Sequence, residues 1–267
     1  MILKKNIKLW HSEIPAFCDE AETPNNMTVY LIEDEQPRPC VVIFNGGAYR
    51  VRSYHEGEPV AQFFNSQGYH AVVVDYRVAP NRFPAALSDA QRAIRLVRAH
   101  AEEWSIDPRG IITCGFSAGG HLCASTILYD DVYSHLYNAD ETDAYSCFPN
   151  GAILGYAVIS VENDYGHVGS GQYLLGEAYE TEKSKFSLAQ YVNENTPPVF
   201  LWHTSEDKAV SVKNSLIFAE RLRDHGVPFE LHVFPHGGHG LGLAINRPEI
   251  AQWASLAADW IKRTFLK

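Results

Sequence analysis

The serine at position 117 has the surroundings of a nucleophile. It stands in ITCGFSAGGHL, residues 112–122, where an apolar run breaks into small residues and a helical pattern begins. A bare G-x-S-x-G match arises by chance in roughly one chain in ten of this size, so the flanks carry the argument. GIITCG reads as a buried strand and AGGHLCASTILY as a buried helix. Ser117 therefore lies on a strand-to-helix turn, the setting of a nucleophile elbow. Such a turn forces unfavourable dihedrals on the serine, and Gly115 and Gly119 flank it because side chains there would collide as the two arms close. The helix that follows presents free backbone N–H groups and a positive dipole end to developing negative charge. The alternative is a tight turn and nothing more.

A serine hydroxyl needs a base. The chain has 12 histidines, and His239 is singled out by its position in PHGGHGLG (235–242), a glycine-rich loop after the last strand-like run. Between Gly238 and Gly240 it is free to swing toward a serine at the carboxyl edge of a sheet, whereas His236 is the rival that caps or packs the loop. The third group required is a carboxylate that fixes the imidazole tautomer and stabilises the imidazolium. LWHTSEDKAV puts Asp207 just past the preceding strand, with Glu206 as the local rival, a solvated loop charge. Charge developing on a substrate oxygen needs donors, and VVIFNGGAYR (41–50) is a buried strand ending in two glycines. Its loop N–H groups, with that of Ala118 after the nucleophile, are candidates for an oxyanion hole. An Asn-Gly hairpin is the alternative, but VRSYHEGEPVAQFFNSQG reads as a helix after a loop rather than a returning strand.

These groups need a scaffold that holds their turns at one edge. Strand-like runs occur at 27–33, 40–45, 70–76, 110–115, 151–160, 198–204 and 229–234, and the middle five are almost continuously apolar. That is the pattern of strands buried on both faces of a parallel sheet. Helical patterns lie between them: Leu87, Ala90, Ile94 and Val97 form one stripe, and residues 211–225 and 248–265 behave likewise, with Pro248 suited to a first turn. The alternation predicts an α/β fold, a doubly wound, mostly parallel sheet flanked by helices, in a single domain spanning 1–267. Two polar, tyrosine-rich stretches interrupt it. Residues 129–150 read equally as surface decoration or a binding loop, and 161–197 as a small partial cap inserted over the sheet.

Composition narrows the partners. With 267 residues, 46% hydrophobic, the chain can bury a sizeable core without disulfides or metals. Its formal charge of −10 argues against nucleic acid or an anionic membrane surface as a partner. No run approaches a membrane span, and the amino terminus lacks the apolar core of a signal peptide. Five cysteines (Cys18, Cys40, Cys114, Cys123 and Cys147) make an odd count without C-x-x-C spacing, which suits reduced thiols in a cytoplasmic chain. Whether the protein forms a homo-oligomer is open, since Trp253 and Trp260 on the last helix suit either core or interface.

NGGAY, GFSAGGHL, HTSEDKAV and GGHGLG, in that order, resemble the α/β-hydrolase esterases of the hormone-sensitive-lipase and acetyl-xylan- and feruloyl-esterase-like (BD-FAE-like) group. The resemblance runs from about residue 25 to the end, and YRVAPNRFPAALSDAQRAIRLVRAHAEEWSIDPRGI is similar to the segment those enzymes carry before the elbow. It implies the α/β-hydrolase fold, whose chain order of nucleophile, acid and base matches Ser117, Asp207 and His239. It implies oxyanion donors at Gly47 and Ala48, beside Ala118. Asn45 replaces the histidine that usually braces the loop, so another hydrogen-bonding group must do so, and Ala48 replaces a glycine. The implied activity is that of a serine carboxylesterase working through an acyl-enzyme, with no metal and no organic cofactor. Its partner is then a small-molecule ester with a short, acetyl-type acyl group, such as an acetylated sugar or xylo-oligosaccharide. Tyr49, Arg50, Tyr165 and Tyr173 are candidates to line the pocket, against an ordinary packing role. The rivals are an arylformamidase of the kynurenine formamidase type and a hydrolase-like binding protein without catalysis. Peptidase and dienelactone-hydrolase readings fit less well, for want of a gating domain and of a cysteine at the elbow.

Overall fold

The computed structural model describes residues 2–11, 14–18, 25–130, 140–162 and 165–266. Eight strands form one sheet: β1 (Ile2–Lys8), β2 (Asn26–Ile32), β3 (Arg38–Phe44), β4 (His70–Val74), β5 (Ile106–Phe116), β6 (Gly151–Gly155), β7 (Val199–Thr204) and β8 (Phe229–Phe234), in the order β1-β2-β4-β3-β5-β6-β7-β8. β1 and β2 run antiparallel to their neighbours, and β3 to β8 pair in parallel. Parallel neighbours need crossover connections, and these are the helices. α1 (Glu58–Ser66) and α7 (Pro248–Phe265) cover one face, where Phe64, Trp253 and Trp260 pack on Ile112, Ile153 and Phe200. α2 (Ala85–Ala99), α3 (Ser117–Leu128) and α6 (Lys213–Asp224) cover the other, with Ile94, Leu122 and Phe218 against Val42, Leu154 and Leu201. Burial on both faces explains why β3 to β7 read as continuous apolar runs rather than alternating ones. Trp253 and Trp260 are thus core residues, both at most 3% exposed.

The excursion between β6 and β7 is helical. α4 (Val168–Leu175), α5 (Tyr179–Glu182) and three 3-10 turns follow one another, and Leu174, Leu175, Tyr179, Phe186 and Leu188 join the core on the α2–α3 side. Of the stretch 129–150, residues 131–139 lie outside the described residues; in the remainder Asp140 caps a 3-10 turn (Glu141–Ala144) and pairs with Arg92 on α2.

Three features depart from the sequence reading. β1 is absent from the strand-like runs because it is a lysine-rich edge strand, mostly exposed, whose partner is β2 alone. β6 ends at Gly155 instead of 160: Tyr156 takes φ +34°, and the chain turns off the sheet, although 156–160 stay buried. α2 has no solvent face at its centre, since Asp89, Gln91, Arg92 and Arg95 are buried as well as its apolar stripe. Asp89 accepts hydrogen bonds from Trp10 Nε1 and from the Arg77 guanidinium and N–H, each 2.8 Å long. A stripe count registers apolar residues only, so this buried ion pair escaped it.

Candidate active site

Every residue singled out for chemistry sits at the carboxyl edge of the parallel strands, where loops leave the sheet together. Ser117 follows β5 directly and takes φ +54°, a left-handed conformation that is strained for a side chain. The glycines around it are required by contact. A Cβ on Gly115 would come 2.1 Å from the Gly119 carbonyl oxygen, and one on Gly119 would come 2.2 Å from the Phe44 carbonyl oxygen. The second contact seats the elbow against the end of β3, which places the loop after β3 beside the serine.

His239 lies between Ser117 and Asp207. Its Nδ1 stands 2.7 Å from Asp207 Oδ2, and its Nε2 stands 2.7 Å from Ser117 Oγ. Facing a carboxylate, Nδ1 carries the proton, which leaves Nε2 to accept the serine hydroxyl. Asp207 is buried, and its Oδ1 accepts the Ala209 and Val210 N–H groups at 2.9 Å. Burial alone raises a carboxyl pKa, but hydrogen bonds from His203, His239 and the Val210 N–H hold Asp207 well below the usual range. It is therefore a fixed anion behind the imidazole. The rivals sit apart: Glu206 pairs with His236 at 3.0 Å on the exposed side of the loop.

The loop after β3 coils tightly, with Gly47 at φ +131°, Ala48 at +57° and Tyr49 at +58°. Gly47 and Ala48 line a cavity of about 440 Å³ with Ser117 and His239, and no described residue accepts their N–H groups. Ala118 is buried at the first turn of α3, where a backbone N–H has no partner within the helix. The arrangement thus holds a hydroxyl, a base and a group of open N–H donors around one space. Among the described residues no group of three or more His, Cys, Asp and Glu could hold a metal ion.

Two residues missing from the sequence reading complete the cavity. Glu56 is 2% exposed and accepts the Gly46 N–H at 2.7 Å and the Tyr156 hydroxyl at 2.5 Å. Tyr156 OH in turn accepts the Gly242 N–H at 2.9 Å, and its ring lies edge-on to His239 with centroids 5.0 Å apart. Glu56 thereby ties the β3 loop to the histidine loop, and shares with Asn45, whose Nδ2 donates to the Ser53 carbonyl, the bracing required at this loop. Burial raises the Glu56 pKa, against the hydrogen bonds from Tyr156 and Gly46. No motif marks Glu56, because one partner, Gly46, lies ten residues back and the other, Tyr156, comes from the loop after β6. The second addition is His167, the N-cap of α4, which lines the cavity with Arg50 and Tyr173.

The four pocket candidates divide. Arg50 and Tyr173 face the cavity, the guanidinium carbon 5.9 Å from the ring centroid. Tyr49 does not: it is turned inward, 2% exposed, with its hydroxyl 2.9 Å from His121 Nδ1, because the left-handed turn at 48–49 directs it beneath the loop. Tyr165 does not line the cavity either; its carbonyl accepts from Asn214 Nδ2, anchoring the excursion to α6. A second, apolar cavity of about 390 Å³ beside Phe83, Tyr129, Phe186 and Tyr191 contains none of the reacting groups.

The chain is similar to known proteins along most of its length. The BD-FAE family model matches residues 27–222. Endo-1,4-beta-xylanase B of Butyrivibrio fibrisolvens is 39% identical over 82% of this chain and 35% of its own length. Acetylxylan esterase of Xylanibacter ruminicola is 30% identical over 88% of this chain and 48% of its own. The chain thus spans half or less of these curated relatives. Among solved structures, an acetyl ester-xyloside bifunctional hydrolase from Caldicellulosiruptor lactoaceticus superposes with a TM-score of 0.91 at 42% identity, covering 97% of this chain and 96% of that one.

Proposed function

The chain belongs to the BD-FAE family and has the α/β-hydrolase fold, and from that premise we propose that it is a serine carboxylesterase acting on short-acyl, acetyl-type esters of sugars such as acetylated xylo-oligosaccharides. The observation that carries the reading is the continuous hydrogen-bonded line from Asp207 through His239 to Ser117, ending on a strained turn beside unpartnered N–H groups.

In this mechanism His239 takes the Ser117 proton as the hydroxyl attacks the ester carbonyl. The Gly47, Ala48 and Ala118 N–H groups hold the tetrahedral oxyanion, and the alcohol leaves with the proton that His239 returns. Water, deprotonated by the same histidine, then releases the acid from the acyl-enzyme. Asp207 stays ionised throughout and stabilises the imidazolium. Residues 161–197 act as a partial cap that brings His167 and Tyr173 to the cavity, Tyr173 lying beside Arg50. Among the described residues no helix is long and apolar enough to cross a membrane, and all five cysteines are unbridged, four of them buried. The reading includes a reducing, cytoplasmic compartment on the strength of those thiols.

The decisive experiment is labelling with a fluorophosphonate probe, followed by kcat/KM on nitrophenyl esters from acetate to decanoate, acetylated xylo-oligosaccharides and N-formylkynurenine. Labelling that depends on Ser117 and a preference for acetyl esters are expected. Labelling that survives Ser117→Ala, or a preference for decanoate or formylkynurenine, refutes the reading.

A further inference from the structure

We propose that His167 determines specificity: its Nε2–H donates a hydrogen bond to a hydroxyl group that the substrate's alcohol carries next to the ester oxygen. The proposal rests on the esterase reading above and adds what the alcohol must look like.

The argument starts from the tautomer. His167 caps α4, and its Nδ1 accepts the Ser170 N–H at 3.1 Å while standing 2.8 Å from Ser170 Oγ. A ring nitrogen that accepts a backbone N–H carries no proton itself, so in the neutral ring the proton is on Nε2. Burial, and then the nearby His239, lower the His167 pKa, which favours the neutral ring. Its Nδ1 edge is bound into the start of α4, and the ring lines the cavity that holds Ser117 and His239. No described residue accepts from Nε2. The cap therefore leaves one donor without a described acceptor, on a ring held in orientation by a helix terminus and lining the cavity of the nucleophile.

What it meets there follows from chemistry. A neutral N–H donor of this kind is too weakly acidic to protonate a leaving group, and His239 is already bound to Ser117 for that task. The oxyanion has its own donors in the loop after β3. An acetyl methyl accepts no hydrogen bond. Of the acceptors left on the alcohol side of an acetylated sugar, the hydroxyl on the carbon beside the ester is the hydroxyl nearest the reacting carbonyl, and the proposal assigns the Nε2–H to it. Arg50 and Tyr173 wall that same space with a guanidinium and a phenol, both able to bond further hydroxyls. A site that hydrogen-bonds a substrate hydroxyl discriminates against the analogue that lacks it far more strongly than an apolar pocket can discriminate by size.

The test compares ethyl acetate with 2-hydroxyethyl acetate, which differ by the one hydroxyl, in the unaltered protein and in His167→Asn. Asparagine keeps an N-cap acceptor for α4 but cannot reach where Nε2 stands. The unaltered protein is expected to favour 2-hydroxyethyl acetate, and the ratio of the two kcat/KM values is expected to fall about tenfold to hundredfold in His167→Asn, as for loss of one substrate hydrogen bond. Because both esters are read on each protein, intrinsic leaving-group differences cancel. Equal losses on both esters, leaving the ratio unchanged, overturn the proposal, as does an unaltered protein with no preference. Monoacetylated xylobiose is run alongside: a ratio that falls while xylobiose acetate is not cleaved supports the role of His167 and refutes the sugar reading, so the two failures are distinguishable.

Discussion

Removing the Glu56 carboxylate should cripple turnover without touching any reacting group. Glu56→Ala leaves the Gly46 N–H and the Tyr156 hydroxyl, both now satisfied at 2.7 Å and 2.5 Å, buried without their acceptor. Each orphaned group costs about 1–3 kcal/mol, so the two together cost about 2–6 kcal/mol. At 2–4 °C of melting temperature per kcal/mol for a domain of this size, the loss is on the order of 10 °C. The kinetic effect comes through Gly46, which leads directly into Gly47 and Ala48. If the loop relaxes enough to misplace one oxyanion donor, kcat falls about 10²–10³-fold. Glu56→Gln provides the control: its amide oxygen still accepts from Gly46 and its NH₂ can donate to Tyr156, so most activity should return. Nitrophenyl acetate kinetics and calorimetry on the three proteins supply the measurements. A folded Glu56→Ala with kcat within about threefold of the unaltered protein would refute the reasoning. Because burial raises the pKa of Glu56, the folded state gains stability from this group as pH falls through that raised value, and Glu56→Gln should remove the gain.

Four further outcomes follow from the geometry. Asp207→Asn should lower kcat by roughly 10³–10⁴-fold with little change in KM for nitrophenyl acetate, since the imidazole loses the anion that holds its tautomer. Gly119→Ala should fail to accumulate as folded protein, read by circular dichroism and soluble yield, because the new methyl meets the Phe44 carbonyl. Asp89→Ala strands the Arg77 guanidinium, which is fully buried, and should cost about 3–5 kcal/mol in denaturant unfolding. His121, pushed by burial down to about 4 from 6.5, stays neutral in the fold while the unfolded chain takes up a proton. Its contribution is therefore present above pH 6.5 and lost as pH falls toward 4, and His121→Gln, which keeps a donor for the Phe186 carbonyl, should flatten the slope of melting temperature over that window.

The sequence alone determined the elements whose signals are local. β3, β7, β8 and α7 fall within a residue or two of their apolar patterns because burial on both faces, or on one stripe, writes itself into consecutive residues. The elbow was legible for a similar reason: a strand, a break of small residues and a helix are neighbours in sequence, and the required glycines lie within three positions of Ser117. Asp207 and His239 were legible as residues at strand ends, in the right order. Their contact was not, since it joins positions 122 and 32 apart that meet only because β5, β7 and β8 end at one edge. Glu56 and His167 lay beyond local reading altogether. The carboxylate owes its role to Gly46, ten residues back, and to Tyr156, which arrives from another loop, and the imidazole owes its Nε2–H, which no described residue accepts, to a helix start within an excursion whose polar composition gave no period. Tyr49 went the opposite way, its direction set by two left-handed residues that no propensity announces. Local patterns specify which segments are buried; the direction a side chain faces, and what it meets there, is decided by the packing of segments distant in the chain.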